Sequence, residues 1–213
     1  MCMMFVTVML LRSRTAPTMF VTRSGGRIAD FLEEVDQLPP SVRVVVLHCG
    51  TNDMPYSDPD SAIRHYVQLL DHIRSRGNID LVVCTLILPR SFNRRRSYPD
   101  RRREFQCNPR AYGFNMRLRD LCKRSPDLYF LDHGFHRQPP TRVLAADGLH
   151  PNFEGVRQIA DRVRTLLPRL LRRLPVHKEG GTGTPDPVWP TIQEAAASSR
   201  SHVHVQKTSK KQD

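Results

Sequence analysis

Val42–His48 reads VRVVVLH and passes through Cys49 into Gly50-Thr51-Asn52-Asp53. A run this dense in β-branched residues does not alternate apolar with polar, so it has no side suited to water. It reads as a strand covered on both faces, the habit of a parallel sheet. The Gly-Thr-Asn-Asp turn then falls at the carboxyl end of that strand. In an open α/β sheet, ligands bind outside those carboxyl ends.

The neighbouring segments extend the pattern. Ile79–Leu88 (IDLVVCTLIL) reads as a second buried strand stopped by Pro89, and Asp127–Asp132 (DLYFLD) as a third. Before them, Met4–Leu11 (MFVTVMLL) and Thr18–Thr22 (TMFVT) read as two more strands. The stretches between have helical spacing. Ile28, Phe31, Leu32 and Val35 form one apolar stripe that Pro39-Pro40 ends. Ile63, Tyr66, Val67, Leu70 and Ile73 form another, with Ser57 or Asp58 as its cap. A third helix is predicted over Pro109–Lys123, with the proline in its first turn. A last one starts at Pro151-Asn152 and faces the core with Val156, Ile159, Ala160, Val163, Leu166, Leu167 and Leu170. Strands alternating with helices through right-handed crossovers predict an α/β fold, a three-layer α/β/α sandwich around a mainly parallel sheet.

From Pro175 the composition turns to Gly, Ser, Thr, Lys and Pro without apolar periodicity. The predicted organisation is one domain over 1–174 and a disordered basic tail over 175–213. The net charge of +12 suits anionic, phosphate-rich partners and equally a solubilising surface. Five cysteines, Cys2, Cys49, Cys84, Cys107 and Cys122, show neither zinc spacing nor the density of a disulfide scaffold. They point to a reducing, intracellular (cytoplasmic) setting, and no metal or cofactor is expected. No apolar run is long enough for a transmembrane helix. Met1–Leu11 is apolar but lacks the basic start and small-residue cleavage site of a secretion signal, which leaves secretion as the minor alternative.

Chemistry-bearing residues cluster at the ends of these strands. Gly25 follows Thr18–Thr22, Asn52 follows Val42–His48, Arg94–Arg96 follow Ile79–Leu88, and Asp147 and His150 follow Asp127–Asp132. The fold predicts that all four groups share one rim. Asp147 is three positions before His150, so its carboxylate can take the Nδ1–H of the ring and leave Nε2 as a base. The same spacing also suits a simple helix cap. Asn52 at a strand end can donate its side-chain N–H to a developing oxyanion, or merely turn the chain. Gly25 can offer a backbone N–H unobstructed by a Cβ, or merely a tight turn. Asn115, inside the third helix, reads as structural. Arg94–Arg96 and Arg101–Arg103 form a basic loop suited to phosphate, carboxylate or nucleic acid, although few aromatic residues interleave it.

Taken together, Ser-Gly-Gly-Arg-Ile at 24–28, Gly-Thr-Asn-Asp at 50–53 and Asp147-Gly-Leu-His150-Pro resemble the blocks of the SGNH (GDSL-like) hydrolases. In texture the chain looks most like the short domains of this kind in animal retroelement-derived proteins. The resemblance spans about residues 18–172. It implies a flavodoxin-like sandwich and hydrolysis of acyl esters, small or lipid-like, through an acyl-enzyme. His150 would be the base, Asp147 its orienter, and Gly25 and Asn52 the oxyanion donors. The family's Gly-Asp-Ser nucleophile block has no counterpart in this sequence. Ser13, after the Met4–Leu11 strand, lies nearest the expected slot. Two readings follow. One is an SGNH-type esterase. The other is an impaired relative, with a truncated, replaced or degenerate first block, whose basic surface binds an anionic partner such as nucleic acid.

Overall fold

A computed structural model describes residues 3–6, 21–98 and 101–172, all within one compact unit, Met1–Leu174. Ser13, most of the first predicted strand and the predicted tail lie outside the described residues.

Val44–Leu47 (β3), Leu81–Thr85 (β4) and Leu128–Leu131 (β5) form a parallel sheet in the order β3-β4-β5. All four residues of β3 and all five of β4 are buried, as their unbroken apolar sequence requires. Alternate side chains serve opposite faces. Val45, Leu47, Val82 and Cys84 pack with the helices Leu32–Asp36 (α1), Pro59–Ser75 (α2) and Arg102–Arg124 (α3). Val44, Val46, Leu81 and Val83 pack against Val163, Leu167 and Leu170 of Phe153–Leu171 (α5). Helices on both faces of the sheet make the three-layer α/β/α sandwich.

Several expectations are refined. Met3–Val6 (β1) and Val21–Ser24 (β2) pair antiparallel as a separate ribbon. The apolar sequence of each segment marks a strand but does not fix the direction in which it pairs. The Ile28–Val35 stripe is buried at Ile28, Phe31 and Val35, but it begins as a 3-10 turn, Ile28–Phe31, before α1. Of the two candidate caps for α2, Asp58 is the one used, accepting from the Ser61 N–H at 2.9 Å.

Helix α3 starts at Arg102, so Pro109 lies in its interior and not in its first turn. The extra turns are held by contacts that the sequence pattern does not reveal, through Cys107 in the core and Asn108 on the β4 extension. In α5, Val156 and Ala160 are exposed, contrary to the predicted face. Gly155 sets this rotation. It lies against the Val143 carbonyl of a short helix, Pro140–Val143 (α4), where a Cβ has no room, and turns Val156 outward.

Candidate active site

The Asp147–His150 loop is a tight return closed by backbone bonds from Ala145 N to His150 O (2.7 Å) and from Gly148 N to Ala145 O (3.0 Å). Within it, one Asp147 carboxylate oxygen accepts from His150 Nδ1 at 2.6 Å. The other accepts the backbone N–H groups of Leu149 at 2.9 Å and His150 at 3.0 Å. Partial burial pushes this carboxyl up, but the His150 ring and the two backbone donors outweigh it and hold the pKa at about 2. Asp147 is therefore an anion at any physiological pH. It binds the Nδ1 side of the ring, while Nε2 is buried without a partner among the described residues. A neutral imidazole held this way can act as a base at Nε2.

Two contacts join the glycine block to the asparagine block. The Asn52 side-chain amide donates to the Gly26 carbonyl at 3.1 Å, and the Ile28 N–H donates to the Asp53 carboxylate at 3.1 Å. Gly25, at φ 72°, is exposed beside this junction with open space around its Cα. Asp53 is 3% exposed, and burial pushes its carboxyl up to about 6 against the Ile28 hydrogen bond. Cys49, adjacent to the motif, is not a substitute nucleophile, because burial and the neighbouring Asp53 push its thiol up.

The segment after β4 connects this pair of blocks to the histidine loop. The Arg90 guanidinium donates to the Thr51 carbonyl at 2.7 Å. The Ser91 N–H donates to the Gly148 carbonyl and the Arg94 N–H to the Ala146 carbonyl, each at 2.7 Å. The glycine block, the asparagine block, Arg94 and the Asp147–His150 loop are thus joined by hydrogen bonds; Asn52, Arg94 and Asp147–His150 follow strands of the parallel sheet as expected, whereas Gly25 follows β2 of the separate ribbon. Within the basic loop, Arg94 turns inward to the Leu144 carbonyl at 3.1 Å, whereas Arg95 and Arg96 are exposed and Arg101 lies over the Phe92 ring. Asn115 is structural, as expected: its amide pairs with both backbone groups of Ile87, at 2.8 and 3.0 Å.

Sequence reasoning missed a second polar group on the α5 face. His48 just after β3, Thr85 at the end of β4 and His133 two residues after β5 lie in a row, with His48 Nδ1 2.6 Å from Thr85 Oγ. Burial lowers the pKa of His133 to about 3 and that of His48 to about 4, so both rings are neutral. No group of three or more metal-ligating side chains exists among the described residues. No described helix is long and apolar enough to cross a membrane.

A family model of GDSL-like lipases and acylhydrolases matches residues 10–158. The chain belongs to that family. Comparison with curated proteins returns no match. Among solved structures, the chain is similar to a carbohydrate esterase family 3 protein of Talaromyces cellulolyticus, with 20% identity over 72% of each chain and a TM-score of 0.55. A GDSL-like lipase of Bacteroides thetaiotaomicron shares 19% identity over 69% of this chain and 73% of its own, at a TM-score of 0.56. The esterase domain of a zebrafish retrotransposon's ORF1 protein shares 24% identity over 70% of this chain and 85% of its own, at a TM-score of 0.40. For the first two, at these identities, the likeness is one of fold.

Proposed function

We propose that the chain is a hydrolase of acyl esters, with small or lipid-like acyl groups as its substrate class, working through an acyl-enzyme. The observation that carries this reading is the Asp147–His150 pair, an anionic carboxylate 2.6 Å from Nδ1 with Nε2 unpartnered among the described residues. Ser13 is the nucleophile the sequence offers. Its hydroxyl attacks the ester carbonyl as His150 Nε2 takes the proton, and the developing oxyanion is met by the Gly25 N–H and the Asn52 amide. His150 then protonates the departing alcohol, and a water activated by the same nitrogen releases the acid. The anchorage of the Asn52 amide on the Gly26 carbonyl supports this assignment by tying the asparagine block to the glycine block.

Purified protein is assayed on short-chain p-nitrophenyl esters beside His150→Ala. The variant is expected to lose at least about a thousandfold in kcat/KM. A fluorophosphonate should label the wild type on the peptide containing Ser13. Equal background rates in wild type and variant overturn the esterase reading, and a label on a different serine overturns Ser13 alone.

A further inference from the structure

Arg90 is only 8% exposed, and its Nε is buried without a partner among the described residues. Holding a cation there carries a desolvation cost that an uncharged residue would avoid. The contacts it makes show what it does in return. Its guanidinium grips the Thr51 carbonyl, the peptide that carries Asn52. Its own N–H and carbonyl are both fixed by the Asn108 side-chain amide, at 2.7 and 2.8 Å. The next residue, Ser91, and Arg94, four positions on, hold the loop that carries Asp147 and His150. One residue therefore reaches the asparagine block with its side chain and the histidine block through its chain neighbours.

We propose that Arg90 is a positioning residue that sets the separation between Asn52 and His150. This rests on the esterase reading for its catalytic consequence but not for its structural one. The guanidinium suits the task because a charge-assisted bond to a carbonyl is short and stiff, and the planar fork keeps its direction. A displacement of about 1 Å between oxyanion donor and base is enough to lower turnover on the order of a hundredfold. Arg90 is itself buried, so its replacement should leave substrate affinity nearly unchanged.

The test uses Arg90→Lys and Arg90→Ala in the full chain. The expected result is a kcat lowered roughly tenfold to a hundredfold at nearly constant KM. Millimolar guanidinium should restore Arg90→Ala severalfold, where ammonium does not. Amide hydrogen exchange gives a reading that needs no catalysis. In Arg90→Lys, the Asp53 amide and those over 148–150 should exchange at least tenfold faster, with Val82–Thr85 unchanged. Unchanged exchange at both blocks, or a loss of kcat without rescue and only in proportion to lost folded protein, overturns the proposal. If Arg90→Ala does not fold, Arg90→Lys decides. If wild-type turnover does not depend on His150, the esterase reading fails and the exchange data alone judge Arg90.

Discussion

Replacing Gly148 with alanine separates the cost of a backbone conformation from the cost of a collision. Gly148 sits at φ 69°, and a Cβ added there would press on the Ser91 carbonyl oxygen and lie 2.5 Å from that of Phe92. Gly77 has nearly the same conformation, φ 71°, with nothing within 4 Å of an added Cβ. Gly77→Ala therefore pays only for a left-handed alanine, about 1 kcal/mol. Gly148→Ala carries the same cost and must also part the 91–94 segment from the histidine loop by roughly 1 Å. That loses the Ser91–Gly148 bond, about 1 kcal/mol, and adds overpacking of about 1–3 kcal/mol. The sum is about 3–5 kcal/mol, against about 1 at Gly77. At about 2–4 °C per kcal/mol for a chain of this size, thermal melting should fall by roughly 2–4 °C for Gly77→Ala and by roughly 6–20 °C for Gly148→Ala. Assayed well below both melting points, Gly148→Ala should also lose at least about tenfold in kcat, because the displaced loop carries His150, while Gly77→Ala keeps wild-type turnover. Equal melting losses in the two variants, or a folded Gly148→Ala with full activity, refute the reasoning.

Two further outcomes are expected. Burial raises the folded-state pKa of Asp53 from 3.8 to about 6, so the folded protein holds this proton more tightly than the unfolded chain. That contribution is complete below pH 3.8 and is lost as the pH rises through 6. Wild type should therefore weaken relative to Asp53→Asn by about 2 kcal/mol between pH 4 and pH 7.5 in urea titrations, and a difference constant across that range contradicts the burial argument. Asn115→Ala leaves both backbone groups of Ile87 unpaired and should lower the urea-derived stability by about 2–4 kcal/mol; a loss below about 0.5 kcal/mol means that water replaces the amide without cost.

The fold was legible wherever burial leaves a mark on side-chain type. Val44–Leu47 is apolar at every position because helices cover both faces, and the position of Asn52 and His150 on one rim follows from strand polarity alone. Asp147 was legible because a carboxylate three residues before a histidine can reach only one side of its ring. Arg90 was not, since an arginine turned inward has the same letter as its solvated neighbours Arg95 and Arg96. The early start of α3 was hidden for a related reason. Arg102–Asn108 has no apolar stripe, and Pro109 resembles a beginning, yet Asn108 earns its helical place through Arg90. Val156 fitted the helical period by number, but the close approach at Gly155 fixed the rotation of α5 on grounds that no period contains.

The paired asparagines of α3 have a metrical consequence. Asn108 and Asn115 are seven helical residues apart, an axial distance of about 10.5 Å. The backbone groups they clasp, at Arg90 and Ile87, are three extended residues apart, about 10 Å. Helix and strand run in opposite senses and agree in pitch at these two points, like a vernier read at two coincident marks. Beyond Leu86, which still bonds to Leu131 of β5, no strand among the described residues neighbours those groups, and the helix supplies peptide-like edges from its side chains. A single residue inserted between 108 and 115 would shift one mark by about 1.5 Å and swing it about 100° around the axis, so the helix could satisfy Ile87 or Arg90 but not both. The length of α3 is thereby a ruler for the rim, and the chain tolerates change in its composition far more readily than change in its count.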